Sequence, residues 1–343
     1  MTALETNFYL ISRNDAPTRL ENLQEALKTQ EEGCYVWLDF LQPEKEDLLA
    51  LIEPFNLHPL SIEDCLDEES QIPKIDDYPG NTFMIFNSID HTDHLMSIDE
   101  LDIFIGAQFL VTVRHNNHGA TPFLHEVERF FMRNSENMRQ GPAFLLHFIL
   151  DLVVDKKFIV IEAIEDELTE AEDVILSDLK SFNPGDLLNL RRDLLSIRKS
   201  LFHEREILVK ICRLDSPFIN EKAIFFYRDI YDHLSKFFEL TESARDIVTS
   251  LMEIYLSMLN NQMARAANYT NVTVRRLTYI TTIFMPLTLL ASIGGMSEWS
   301  MITGPENWKL SYPLFLLGLV ALGVITWLIL NRWEKNRNTE DLD

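Results

Sequence analysis

The chain has 343 residues, which leaves room for one or two soluble domains with real cores. Lys plus Arg number 30 against 54 Asp plus Glu, a net charge of −24, which argues against a nucleic-acid phosphate partner and favours cations or simple solubility. Cys34, Cys65 and Cys212 are isolated and odd in number, so neither a disulfide framework nor a cysteine zinc site is expected, and a reduced cytosol fits.

The opening MTALETNFYLISRND has neither a basic start nor a long apolar core, so no secretory signal is expected there. Segment 1–140 reads as a cytosolic α/β domain. Its candidate strands are Phe8 to Ser12, Cys34 to Phe40, Thr82 to Ser88, Leu101 to Ile105 and Phe109 to His115, the last two joined by Gly106-Ala107-Gln108 as a hairpin. Helical patterns lie between them at Pro43 to Pro54 and near Ser61 to Leu66. His91 and His94 stand beside Asp90 and Asp93 with metal-like spacing, and His115 with His118 similarly. A polar turn between strands accounts for either group more simply than a zinc site does.

After Gly141-Pro142 the pattern changes, and 141–220 reads as two long antiparallel cytosolic helices. One runs from Ala143 to about Leu179 and is stopped by Ser181-Phe182-Asn183-Pro184-Gly185; the other runs from Asp186 to about Arg213, with Pro217 closing it. Glu162, Glu165, Asp166, Glu167, Glu170, Glu172 and Asp173 crowd the first of them, which reads as a solvated acidic face or as a loose accumulator of cations. Segment 221–276 is a stalk helix. Ile230, Phe237, Ala244, Leu251 and Met258 repeat every seven residues along it, the mark of a helix packed lengthwise against others.

Two uncharged runs follow, 277–296 and 312–331, joined by a loop at 297–311 and trailed by 332–343. Each is long enough to cross a hydrocarbon layer of roughly 30 Å as a helix; buried core helices are the alternative, although these usually keep a polar stripe. Arg275 and Arg276 precede the first span and Arg332, Lys335 and Arg337 follow the second, against Lys309 alone in the loop. The cation bias places both termini in the cytoplasm and the loop outside. A helix continuous from 221 to 296 would measure ~110 Å.

Polar residues in the first span are not scattered. Asn271, Val274, Thr278, Thr281, Met285, Thr288 and Ser292 follow at steps of three or four, giving one semi-polar stripe. Hydroxyls that glue helices together would explain it; so would a pore wall, which needs several copies around an axis because two spans cannot enclose a channel. Pro286 lies mid-span and removes one helical donor, so a mild bend is expected there. The sequences HExxH, GxSxG, GxGxxG and GxxxxGK[ST] are absent, so no enzyme, nucleotide or organic cofactor is expected.

The run Thr282-Ile283-Phe284-Met285-Pro286-Leu287-Thr288-Leu289-Leu290-Ala291-Ser292-Ile293-Gly294-Gly295-Met296 closely resembles the end of the first membrane helix in the CorA family of divalent-cation channels. Arg228-Asp229-Ile230-Tyr231-Asp232-His233 and His58-Pro59-Leu60-Ser61-Ile62-Glu63-Asp64-Cys65 are also similar to family segments, as is the order of α/β domain, stalk, two spans and short loop. The resemblance implies a homo-oligomer, a pentamer, in the inner membrane, with divalent metal ions as substrate and regulator. It implies that the first span lines the pore, with Asn271 at the cytosolic end, Leu277 and Met285 as apolar constrictions, Thr288 as a polar ring, and Gly295 and Met296 at the mouth. Where the family has Gly-Met-Asn, this chain has Gly295-Met296-Ser297. A serine hydroxyl is shorter than an asparagine amide and turns either a donor or a lone pair toward hydrated Mg²⁺. Glu298 and Glu306 are the acidic residues left at the external mouth. The resemblance further implies that Asp229, with Asp90 of the adjacent subunit, holds a regulatory divalent ion. Two other readings stand beside the channel: a membrane sensor or interaction protein with weak or altered conduction, and a zinc-transporting branch of the family.

Overall fold

The computed structural model describes residues 6–12, 17–28, 33–67, 71–92, 95–115, 127, 140–296, 304 and 307–340. The chain divides into two compact units, Met1–Tyr255 and Leu256–Asp343.

In the first unit, the described residues form a seven-stranded sheet in the order β2-β1-β3-β7-β6-β5-β4. The strands are β1 Thr6–Ser12, β2 Thr18–Leu20, β3 Cys34–Leu41, β4 Lys74–Asp77, β5 Thr82–Thr92, β6 Leu95–Ile105 and β7 Phe109–Arg114. Pairing is antiparallel except between β3 and β7. β3 is buried from Tyr35 to Leu41, and its apolar run CYVWLDFL is what a strand covered on both faces requires. Between β6 and β7 the Gly106 N–H donates to the Phe109 carbonyl at 3.0 Å, as the hairpin reading required.

The sheet is larger than the sequence pattern indicated. β5 and β6 continue to Thr92 and back from Leu95, with Ile89 opposite Ile98 and Asp90 opposite Ser97; Asp90 and His91 therefore lie in a strand and not in a turn. The edge strands β2 and β4 escaped notice because three residues, TRL, and the polar KIDD carry no readable alternation. The expected helix over 43–54 is two short ones, α2 Lys45–Leu49 and α3 Ile52–Phe55, following α1 Leu23–Lys28. Asn56 ends α3 at φ 50°, a left-handed stop that asparagine tolerates. α4 Pro59–Cys65 starts at His58, whose ring nitrogen accepts the Leu60 N–H at 3.2 Å and whose face stacks on Tyr78. One face of the sheet holds a core of Val36, Leu38, Phe40, Leu48, Leu51, Phe55, Ile62, Phe83, Phe104 and Val111 beneath these helices.

The long helices are α5 Pro142–Ser177, α6 Pro184–Cys212 and α7 Glu221–Gly294. Gly141 takes φ 134° to turn the chain into α5, a conformation that side chains disfavour, and Pro142 fills the first helical position, where no donor is needed. Asn183 accepts the Gly185 N–H at 3.1 Å to open α6. α5 and α6 pack against the sheet through a buried polar network. Lys157 and Glu204 pair there fully buried, Glu204 Oε1 also accepts the Asn87 N–H at 3.0 Å, and the Lys157 ammonium lies 4.6 Å from the Phe86 ring centroid. Besides Ile224, the buried positions of α7 are Ala223, Tyr227, Ile230, Leu234, Phe237, Thr241, Ala244, Val248 and Leu251, at alternating steps of four and three, in keeping with the seven-residue repeat seen in the sequence.

The second unit contains the rest of α7 and α8 Trp308–Glu340. Both helices have stretches long and apolar enough to cross a bilayer. They approach closely: a Cβ added at Gly294 would lie 2.6 Å from Phe315 Cζ, and one at Gly323 would lie 3.5 Å from Leu287 Cδ1. Small residues at such crossings let helices pack where water gives no hydrophobic drive. α7 runs through Pro286 and ends with the Gly295 N–H on the Ala291 carbonyl at 3.0 Å.

Candidate functional site

At about 3.6 residues per turn, Val272, Tyr279, Ile283, Pro286, Leu287 and Gly294 share one side of α7. These are partly covered, and α8 lies over that side at Leu287 and Gly294. Asn271, Val274, Thr278, Thr281, Met285, Thr288 and Ser292 occupy the opposite side and are all exposed, as are Leu277, Gly295 and Met296. The polar stripe is thus the face that α8 leaves open.

The hydroxyls along it share one arrangement. Thr278 donates to the Val274 carbonyl at 2.9 Å, Thr281 to that of Leu277 at 3.0 Å, Thr288 to that of Phe284 at 2.7 Å and Ser292 to that of Thr288 at 2.8 Å. Each hydrogen is therefore used within the helix, and the oxygen lone pairs remain. A surface of acceptors suits the water hydrogens around a hydrated cation. Apolar Leu277 and Met285, 61% and 76% exposed, interrupt it. Ser297, Glu298 and Glu306 lie outside the described residues.

In the first unit, Asp90 and Asp229 are both exposed, but they sit at opposite ends of α5. Asp90 adjoins His91, whose Nε2 is 3.2 Å from Glu167 Oε1. Asp229 acts electrostatically on His147 and Asp151. Sixteen to twenty residues of helix separate these anchors, on the order of 25–30 Å, so the two carboxylates do not meet within one chain.

Asp229 does have company that sequence reasoning missed. One ligand atom from each of Asp151, Asp155 and His233 lies within 4.8 Å of the others, and His233 Nδ1 is buried without a hydrogen-bond partner among the described residues. Burial, then the charge of Asp155, pushes the Asp151 carboxyl up to about 6, with Asp229 adding to the same effect. Carboxylates that repel one another beside an orphaned imidazole nitrogen are the donor set a divalent cation satisfies. The signal was available as two i, i+4 pairs, Asp151 with Asp155 on α5 and Asp229 with His233 on α7.

His91 contacts Glu167 through its Nε2, while His94, Asp93 and His118 lie outside the described residues. On α5, Glu162, Asp166, Glu170, Glu172 and Asp173 are exposed and Glu165 and Glu167 partly so. Glu167 and Glu170, with Asp186, Asn189 and Asp193, line a cleft of about 460 Å³ where α5 and α6 turn.

The family model described as CorA-like Mg²⁺ transporter protein matches residues 32–332. The chain is 31% identical over 317 residues to YfjQ of Bacillus subtilis, provisionally named as a metal ion transporter, covering 92% of this chain and 94% of that one. Identity is 27% over 316 residues to the cobalt/magnesium transport protein CorA of Thermotoga maritima, covering 91% of this chain and 87% of the relative. The complete structure of the CorA magnesium transporter from Methanocaldococcus jannaschii superposes with a TM-score of 0.71 at 22% identity, over 97% of this chain and 99% of that one; the fold is the same.

Proposed function

Because the chain belongs to the CorA-like Mg²⁺ transporter family, we propose that several copies, five by family resemblance, assemble around α7 as a channel passing divalent cations down their gradient. Inner membrane, cytoplasmic termini and an external 297–311 loop complete the reading. The observation that carries it is the open face of α7, where the hydroxyls from Thr278 to Ser292 keep their lone pairs outward, opposite α8. A ring of such faces offers acceptors to a cation's water shell, while Leu277 and Met285 form apolar constrictions that gate by dewetting. A divalent ion entering through ~100 mV, inside negative, gains about twice 2.3 kcal/mol, so no energy source need be coupled.

Control resides in the cytosolic unit. Asp229, with Asp151, Asp155 and His233 beside it and Asp90 of the adjacent subunit, holds a regulatory divalent ion that favours the closed state. Loss of that ion leaves like charges apposed and loosens the assembly.

Flux into indicator-loaded proteoliposomes tests the reading, with Mg²⁺, Co²⁺, Ni²⁺ and Zn²⁺ supplied separately. Entry of at least one ion, reduced by Thr288→Val, is expected; entry of none with the native protein rules the channel out. Ser297 favours a second reading, a membrane sensor with weak conduction, because it replaces the amide that would face hydrated Mg²⁺. No entry of any ion with the native protein would support that reading, whereas magnesium entry gained only with Ser297→Asn would mean a changed selectivity.

A further inference from the structure

Apart from the Asp229 cluster, the first unit holds a second group of converging donors, on its sheet. Glu100 and Asp102 are two apart on β6 and so share a face. The β6–β7 register pairs Leu101 with Arg114 and Asp102 with Val113, which sets His115, one residue past β7, across from Glu100. Single ligand atoms from Glu100, Asp102 and His115 lie within 4.8 Å of one another. His115 Nε2 is 2.6 Å from Asp102 Oδ2, and Glu100 Oε2 accepts the Gln71 N–H at 2.6 Å.

Asp102 distinguishes the group from a structural ion pair. Its residue is 0% exposed, yet Oδ1 has no hydrogen-bond partner of normal geometry among the described residues, the nearby Cys65 S–H being a weak donor to Asp102, and a buried carboxylate oxygen so poorly served is costly. Asp39, across the sheet and equally buried, shows how this fold satisfies a carboxylate. There Oδ1 accepts from Thr112 at 2.7 Å and Arg114 Nε at 3.2 Å, and Oδ2 accepts from Arg114 Nη2 at 2.5 Å. Asp102 instead has beside it a second carboxylate, an imidazole and the buried Cys65 thiol. Burial, and then the charge of Asp102, pushes that thiol well up, so Cys65 lines the group as an S–H and not as a thiolate ligand.

We propose that Glu100, Asp102 and His115 bind a divalent transition cation of the Zn²⁺ or Co²⁺ class, with water in the remaining position. Two carboxylate oxygens and one imidazole form a three-ligand set of the kind such ions take, at the end of β7 where His115 is 31% exposed and gives access from solvent. Mg²⁺ is a poor fit, because it retains several waters and prefers oxygen donors throughout. The bound ion supplies Asp102 Oδ1 with a partner and ties β6 to the residue that leaves β7.

The test uses the purified full chain in detergent. Co²⁺ and Zn²⁺ are titrated by calorimetry, and Co²⁺ is also followed by its visible ligand-field spectrum, all with millimolar Mg²⁺ present. The native chain and Asp229→Ala should both show a Co²⁺ spectrum carrying an imidazole contribution. Asp102→Asn and His115→Gln should each weaken that site more than ~100-fold, beyond the ~10–100-fold typical of an outer-shell loss. Should Asp102→Asn fail to fold, His115→Gln, at a part-exposed position, still decides the matter. An unchanged spectrum and affinity in His115→Gln would overturn the proposal, as would displacement of Co²⁺ by an equal concentration of Mg²⁺.

Discussion

Single residues decide how the sheet and the long helices hold together. Lys157 and Glu204 are both fully buried, and Glu204 Oε1 also serves the Asn87 N–H and the Ser200 hydroxyl. Lys157→Met leaves that carboxylate without its cation, so about 3–5 kcal/mol of unfolding free energy should be lost, measurable by denaturant titration of the detergent-solubilised chain. Adding Glu204→Leu should restore only part of it, because the Asn87 N–H then has no acceptor. His147 reports on pH instead. Burial lowers it to about 4 from the usual 6.5, against a smaller opposing effect of Asp229. A histidine depressed in the folded state keeps its full stability above pH 6.5 and loses it as pH falls toward 4, where folding must exclude a proton that the unfolded chain binds. Melting temperatures should therefore fall more steeply over that window in the native chain than in His147→Gln, with a cumulative difference of at most about 3 kcal/mol. An equal slope in both would mean that His147 titrates normally. None of these partnerships was legible in the sequence: nothing in the spacing of Lys157 marks Glu204 as its partner, and His115 read as a strand end or, with His118, as a polar turn. What pairs Glu100 with His115 is a strand register, and register depends on which residues meet across a hairpin, not on their spacing along the chain.

Elements were far more readable, for a physical reason that differs between helices and strands. The four-three alternation of α7 is local and continues over many turns, so the stretch from Ala223 to Leu251 declared its buried side directly. The polar KIDD of β4 and the three-residue β2 gain their structure only from neighbouring strands. In the same way β5 and β6 extend past their apolar cores because each supplies the other's hydrogen bonds from Ile89 and Ile98 outward. The second unit offers a direct check on the α7–α8 contact. A Cβ at Gly294 would meet the Phe315 ring at 2.6 Å, so Gly294→Val should force the helix ends apart while leaving the stripe from Asn271 to Ser292 chemically unchanged. Disulfide trapping between cysteines placed at positions 290 and 319 should slow in that variant and be unaffected by Gly295→Ala, whose added Cβ would meet, among the described residues, only its own helix's carbonyls at 3.5 Å or more. Equal trapping in both variants would show that Phe315 yields without moving α8.

At the scale of the whole molecule, the acidity that first marked the chain has two different uses. Exposed carboxylates on α5, such as Glu162, Asp166, Glu172 and Asp173, solvate the body and repel one another weakly through water. Asp151 is different: burial, then the charge of Asp155, with Asp229 adding to it, makes its ionisation unfavourable. α7 carries Asp229 and His233 near one end and the polar stripe near the other within a single helix, Glu221–Gly294. An ion held at Asp229 therefore bears on the same element that supplies the proposed pore wall. Limited proteolysis in liposomes checks this coupling. Native protein should be protected by millimolar Mg²⁺ or by lower Co²⁺ and cut rapidly after chelation. Asp90→Ala combined with Asp229→Ala should be cut at the chelated rate whatever the metal, and Asp151→Asn should shift the protecting concentration upward by roughly tenfold, the cost of ~1.4 kcal/mol in binding. His115→Gln should leave the Mg²⁺ curve where it is, since its site takes transition ions. Metal protection that survives in the double variant would remove the regulatory role from Asp90 and Asp229 while leaving the stripe on α7 untouched as a candidate pathway.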